Sequence, residues 1–172
     1  MDLKNYIRVI EDFPKQGISF KDITTLLQDS EIFKYTIDKL AEGLKGKKID
    51  KIVGPEARGF LFGVPLAYKI GAGFVPIRKK GKLPYETISV QYDLEYGKDE
   101  LEIHKDAIKP GEKVVIIDDL LATGGTICSV AKLVEELGGE VVDMSFVIEL
   151  TELKGRDKLK KYDVTSLVKY DI

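Results

Sequence analysis

Apolar positions along the chain follow two periods. Leu3, Tyr6, Ile7 and Ile10 have the spacing of one helical face, so the segment from Leu3 is expected to be helical. Pro14 and Gly17 break this pattern within Phe13–Asp22. Asp29 and Ser30 are placed to cap a second helix that buries Ile32, Phe33, Ile37, Leu40 and Leu44 and ends at Gly46. Short apolar runs at Lys51–Gly54 and Gly73–Arg78 predict strands, with a helix over Gly59–Ile70 between them. Thr87–Asp106 alternates apolar and polar residues and predicts a half-exposed hairpin. Lys113–Asp119 (KVVIIDD) carries four consecutive apolar residues, the pattern of a strand buried on both faces of a parallel sheet. A glycine-containing turn, Ala122–Thr126, leads to a helix over Ile127–Leu137 closed by Gly138 and Gly139. Glu140–Leu150 and Asp163–Lys169 predict the last strands. Strand and helix alternate, so the expected class is α/β, a mainly parallel sheet flanked by helices, with the hairpin as its irregular part.

Composition narrows the class. A chain of 172 residues, 44% hydrophobic and 33% charged, is expected to form one globular domain over 1–172. Its 27 basic and 29 acidic residues leave a net charge of −2, without the basic excess of a dedicated nucleic-acid binder. A single cysteine allows no internal disulfide and suits a reducing compartment. The first residues lack a signal-peptide apolar core, and no apolar run approaches the ~20 residues needed to cross a membrane. A cytoplasmic location without membrane or nucleic-acid partners is therefore expected.

The chemistry concentrates in VVIIDDLLATGGT, Val114–Thr126. Ligands of open α/β sheets bind beyond the carboxyl ends of the strands, and this strand ends in Asp118 and Asp119. Thr123, Gly124, Gly125 and Thr126 follow, a turn whose backbone N–H groups can cradle a phosphate at a helix start. Hydroxyl acceptors beside a phosphate cradle suit a phosphorylated sugar, although a solvated loop with helix caps has the same composition. The lysine of a Walker loop and a G-x-G-x-x-G turn are both absent. In GPEARGFLFG, Arg58 sits in a glycine-bounded turn and is either a diphosphate ligand or a surface helix cap. Arg78, Lys79, Lys80 and Lys82 put four basic residues within five positions, an anion site or a solvated loop. In the hairpin, Glu95 and Tyr96 could exclude water and handle protons, or be ordinary strand-end residues. His104, the only histidine, and Cys128 are expected to be structural.

The segment VVIIDDLLATGGT resembles the 5-phosphoribosyl-1-pyrophosphate (PRPP) signature of the type I phosphoribosyltransferases, and the chain resembles the adenine-specific branch of that family almost end to end. The resemblance implies the type I fold, with an N-terminal hood over 1–30 and a basic turn and flexible hairpin loop over 79–106. It implies that Ala122, Thr123, Gly124, Gly125 and Thr126 bind the 5′-phosphate, while Asp118 and Asp119 hold the ribose hydroxyls. Glu56, Ala57 and Arg58 would bind pyrophosphate, with a non-proline cis bond between Glu56 and Ala57. Arg78, Lys79 and Lys82 would also contact pyrophosphate, Arg78 reaching the neighbouring subunit's site. The LEYG motif assigns Glu95 to proton transfer at the purine and Tyr96 to packing over the reacting centre. The hood motif assigns Ile18, Ser19 and Phe20 to the adenine edge, read by backbone groups and one stacked apolar face. Lys21 stands where many members have arginine, and Leu150 would cover the other ring face or be an ordinary core residue. The implied reaction is adenine plus PRPP giving AMP plus pyrophosphate, with Mg2+ held mainly by PRPP and water, in a homodimer. Another purine phosphoribosyltransferase and a PRPP-sensing regulator are the alternatives.

Overall fold

The computed structural model describes residues 1–94 and 97–171. A small antiparallel pair, β1 (Arg8–Ile10) and β2 (Phe20–Asp22), forms the hood. Helices α1 (Thr24–Gln28) and α2 (Ser30–Gly43) follow. The body is then β3 (Lys51–Pro55), α3 (Arg58–Ile70), β4 (Gly73–Lys79), the hairpin β5 (Thr87–Leu94) and β6 (Gly97–His104), β7 (Lys113–Leu121), α4 (Gly125–Glu136), β8 (Glu140–Leu150) and β9 (Val164–Tyr170).

Seven strands form one sheet in the order β5-β6-β4-β3-β7-β8-β9. The five from β4 to β9 run parallel, and the hairpin extends the sheet by antiparallel pairing of β6 with β4. From β3 the chain winds outward to β4, then returns to the other side of β3 as β7. The direction of winding thus reverses between β3 and β7, where loops leaving neighbouring strand ends part and open a crevice.

Strand β7 needs apolar residues on both faces because both are covered. Val115 and Ile117 pack with Leu40 of α2 and with Phe62 and Leu66 of α3. Val114 and Ile116 pack with Val130 and Leu133 of α4 and with Met144 and Phe146 of β8. Helix α2 starts at Asp29, whose carboxylate accepts the Glu31 and Ile32 N–H groups at 3.0 and 3.1 Å.

Several boundaries differ from the sequence expectation. Strand β7 runs past Asp119 to Leu121, so the acid pair lies within the strand and not at its end. The Leu3 segment makes one 3-10 turn, Leu3–Tyr6, capped by Asp2, and is then drawn into β1 by pairing with β2; Leu3 and Ile7 are still buried. Helix α2 stops at Gly43, three residues before Gly46. Helix α4 starts at Gly125, before Ile127, because Gly124 takes a left-handed φ of 85° and turns the chain directly into the helix.

Beyond α2, Lys47 ties the layers together. Its ammonium lies 2.7 Å from Asp143 Oδ2 on β8 and 3.3 Å from Asp163 Oδ2. Asp143 is buried, and burial raises its carboxyl pKa against the pull of Lys47. Lys47→Met should cost roughly 1–3 kcal/mol at pH 7, below the usual cost of breaking a fully buried pair because Lys47 is partly solvated. With its folded pKa raised above the unfolded value, Asp143 takes up a proton in the folded state first, so the deficit should shrink as pH falls through the folded pKa. Urea titrations of both proteins between pH 7 and pH 4 check this; a deficit that grows on acidification contradicts it.

Candidate active site

The crevice between β3 and β7 is closed at backbone distance. A Cβ on Gly59 would lie 3.0 Å from Pro55 Cδ and 3.3 Å from Asp118 Oδ1. One on Gly54 would lie 3.3 Å from the Ile117 carbonyl oxygen. Hydrogen at both positions lets β3 and the start of α3 lie against β7 without crowding. Across the contact, Arg58 Nε lies 3.1 Å from Asp119 Oδ2. The Asp119 N–H donates to Asp118 Oδ1 at 2.8 Å. Burial, then the neighbouring Asp119 carboxylate, hold the Asp118 carboxyl well above the usual range. The Glu56–Ala57 peptide bond is cis.

Two cavities adjoin at this contact. One of about 180 Å³ is lined by Arg58, the acid pair and the turn from Ala122 to Ile127. The other, about 200 Å³, adds Pro55, Glu56, Lys79, Tyr92 and Leu101. They share Arg58, Asp118, Asp119 and Thr126. The first faces the N-terminus of α4, which no side chain caps. Its free N–H groups and helix dipole therefore favour an anion there.

A buttress lies behind the turn. A Cβ on Gly155 would collide with the Ala122 carbonyl oxygen and come within 2.9 Å of Leu121 Cδ1, and one on Gly124 would meet the Gly155 carbonyl at 2.9 Å. The next residue, Arg156, is clamped by buried Glu149 through Nε at 2.7 Å and Nη2 at 2.9 Å, and donates from Nη1 to the Val164 carbonyl at 2.9 Å. Gly155, Arg156 and Glu149 were not among the sequence candidates. A glycine–arginine pair after a strand is their only local signal, and the partners lie on β8 and β9.

On the other side, Glu56 accepts the Lys79 N–H at 2.8 Å and Arg78 Nε at 3.2 Å. Burial pushes the Glu56 carboxyl up, but these two bonds outweigh it and its pKa lies below the usual value. Arg78 is thus held within its own chain, and Lys82 lies on the turn, outside both cavities. Lys79 Nζ lies 3.2 Å from Asp99 Oδ2.

The hood approaches the site where the Arg58 guanidinium stands 5.7 Å from the Phe20 ring centroid. Phe13 packs edge-on against Phe20 at 5.1 Å. The Ile18 N–H is engaged by the Lys15 carbonyl and its own carbonyl by the Phe13 N–H. Lys21 is buried, donates to Ser19 Oγ at 2.7 Å and lies 4.7 Å from the Tyr170 ring centroid. Burial pulls its ammonium pKa down. Half-buried Leu150 packs on the core beside α2. Ile18, Ser19, Phe20, Lys21 and Leu150 line neither cavity. Glu95 and Tyr96 lie outside the described residues. His104 accepts the Tyr85 N–H at 3.4 Å, and among the described residues no group of three potential metal ligands includes it. Among the described residues no helix is long and apolar enough to cross a membrane.

The family described as phosphoribosyl transferase domain matches residues 24–171. An adenine phosphoribosyltransferase of Clostridium botulinum is 77% identical over 172 residues, all of both chains. The solved adenine phosphoribosyltransferase of Thermoanaerobacter pseudethanolicus is 62% identical, covers 98% of each chain and superposes with a TM-score of 0.95. That of Saccharomyces cerevisiae, solved with adenine and an imino-altritol bisphosphate, is 44% identical over 96% of each chain, with a TM-score of 0.91. By sequence and by fold, over its length, this chain belongs to the phosphoribosyl transferase family, among the adenine phosphoribosyltransferases.

Proposed function

We propose that this chain transfers the 5-phosphoribosyl group of PRPP to N9 of adenine, forming AMP, releasing pyrophosphate and so salvaging the purine. The observation that carries this reading is the pair of cavities meeting at Arg58, Asp118, Asp119 and Thr126. A phosphorylated ribose spans them: 5′-phosphate on the α4 N-terminus, ribose hydroxyls on the acid pair, diphosphate toward Arg58 and Lys79. Thr123 and Thr126 add hydroxyl donors to the backbone of Ala122, Gly124 and Gly125. Guanidinium suits the diphosphate because its planar donors pair two oxygens at once.

Attack by N9 on C1 breaks the bond to the pyrophosphate oxygen, which leaves with the electron pair, while positive charge develops on the ribose as in other glycosyl transfers. Asp118 and Asp119 hold the ring and face that charge, and Arg58 and Lys79 neutralise the departing diphosphate. Glu95 and Tyr96, which follow β5 in sequence, take the proton and exclude water. The carboxylates fit Mg2+. No three metal-ligating side chains converge among the described residues, and two acids line both cavities, which suits an ion that keeps substrate oxygens and waters. Asp118 and Asp119 would hold its waters, and the ion when bound supplies charge neutralisation for the leaving group.

Adenine lies under the hood against Phe20, its edge read by backbone groups of Ser19 and Phe20, since the Ile18 N–H is already engaged. Lys21 supports this segment through Ser19, and Leu150 closes the far side. One domain over 1–172 does this, in the cytoplasm and as a homodimer. Dimerisation is supported by the exposed apolar residues Leu61, Val64 and Tyr68 along α3. Arg78 and Lys82 complete the diphosphate side there, Arg78 on release from Glu56.

Offering adenine, hypoxanthine, guanine and xanthine with PRPP and Mg2+ tests the assignment. AMP and pyrophosphate should form from adenine alone; another nucleotide would overturn the reading of the hood, and PRPP binding without product would favour a regulator. Asp119→Asn should lower kcat by about 10²-fold with the melting temperature little changed; normal turnover in the folded variant would remove Asp119 from ribose binding. Gly155→Ala should press on the Ala122 carbonyl and raise KM for PRPP about 10- to 100-fold, with KM for adenine nearly constant. Steady-state kinetics at saturating second substrate separate the two, and equal changes in both KM values would contradict the buttress.

A further inference from the structure

The outer part of the sheet carries a polar cluster at its edge in which Lys79 is joined by Asp99 and Tyr92, two residues the proposed reaction has not used. Strand alternation and pairing bring Ile77 and Lys79 of β4, Leu101 and Asp99 of β6, and Val90 and Tyr92 of β5 to one face, the face that α4 covers. The apolar members of these pairs pack into the α4 side of the core. Their polar neighbours emerge together at the mouth of the 200 Å³ cavity. There Lys79 Nζ lies 3.2 Å from Asp99 Oδ2, and the Tyr92 hydroxyl donates to the same oxygen at 3.3 Å. The second oxygen, Asp99 Oδ1, accepts the Glu100 N–H at 2.8 Å, which holds the carboxylate in place. Lys79 and Tyr92 line the cavity, while Asp99 stands behind them.

We propose that Asp99 is a positioning residue for the diphosphate: it holds the Lys79 ammonium at the edge of the cavity and competes with the diphosphate for it. The inference rests on Lys79 being a diphosphate ligand. Charge in the region supports competition. Around the second cavity the cations Arg58, Arg78 and Lys79 face the carboxyl groups of Glu56, Asp118 and Asp119, so Asp99 adds negative charge where a polyanion must bind. An incoming diphosphate draws Lys79 away from Asp99, and a departing one returns it. Asp99 therefore favours release of pyrophosphate at the expense of holding it. The same ion pair ties β6 to the end of β4, so diphosphate occupancy and the tie between hairpin and sheet are coupled.

The test is Mg2+–pyrophosphate binding by calorimetry to four proteins: parent, Asp99→Asn, Lys79→Met and the double variant. Asp99→Asn keeps the shape and removes the charge. It should tighten pyrophosphate about 2- to 5-fold, the range expected for one partly solvated ion pair, and lower KM for PRPP in parallel. Asp99→Glu, which keeps the charge, should restore the parent affinity. In the Lys79→Met background the Asp99→Asn gain should largely disappear. A merely structural role would weaken binding or leave it alone, so unchanged or weaker binding by a folded Asp99→Asn overturns the proposal. A full gain in the Lys79→Met background overturns it too, because the effect would not pass through Lys79. If Lys79→Met alone leaves pyrophosphate affinity unchanged, the underlying reading of Lys79 fails instead.

Discussion

Everything in the site depends on β3 and the start of α3 lying against β7, beside the point where the winding of the sheet reverses. Side chains at Gly54 and Gly59 would crowd this contact. Cβ atoms there would lie 3.3 Å from the Ile117 carbonyl oxygen and, at Gly59, 3.3 Å from Asp118 Oδ1. The Arg58–Asp119 ion pair spans the contact. With these elements so close, β7 presents carboxylates beside the guanidinium of the first residue of α3. The packing of β7 makes the meeting reproducible. With α3 on one face and α4 on the other, the strand has no freedom to slide, because a one-residue slip would exchange its two apolar sets.

The electrostatics follow from this closeness. Within β7, burial and then the adjacent Asp119 carboxylate make ionisation of Asp118 costly, and its pKa is raised. Arg58 offsets part of that cost. Such a site is strained in charge without ligand and improves when a cationic centre or a hydroxyl-bearing ring takes the space between the acids. The two sides of the crevice differ in kind. At α4 the uncapped helix start offers backbone N–H groups set by helix geometry, beside the hydroxyls of Thr123 and Thr126. At β4 the cations are long side chains already paired, Arg78 with Glu56 and Lys79 with Asp99. On the proposed reading, a fixed cradle at one end and exchangeable partners at the other suit a molecule that keeps its 5′-phosphate and loses its diphosphate.

Much of this was legible in the sequence, for identifiable reasons. The strand at Lys113, the turn with Gly124 and the strand Glu140–Leu150 are local patterns, in which apolar runs and glycines carry the signal by themselves. The first segment misled because Leu3 and Ile7 are buried whether the chain turns once or continues as a helix, and only pairing with β2 decides. Arg58 was visible as an arginine between glycines, but its partner Asp119 lies across the sheet, and no spacing encodes it. Glu149, Arg156 and Gly155 escaped notice for the same reason. Their job is done by contacts between β8, β9 and the loop before α4, and a buried carboxylate at a strand end looks like any other acid in sequence.

The resemblance assigns Ile18, Ser19 and Phe20 alike to the base, and hydrogen bonding distinguishes among them. Ile18 has its N–H bonded to Lys15, whereas Phe20 presents its ring to Arg58. A backbone group engaged within a turn cannot serve a ligand without breaking a bond whose loss leaves a polar group unpaired. Lys21 follows the same logic. Buried against Tyr170 and bonded to Ser19, it supports the hood from beneath. On the proposed reading, its difference from arginine then bears on how firmly Ser19 is held, and specificity rests on the shape of a short backbone segment that side chains beneath it set.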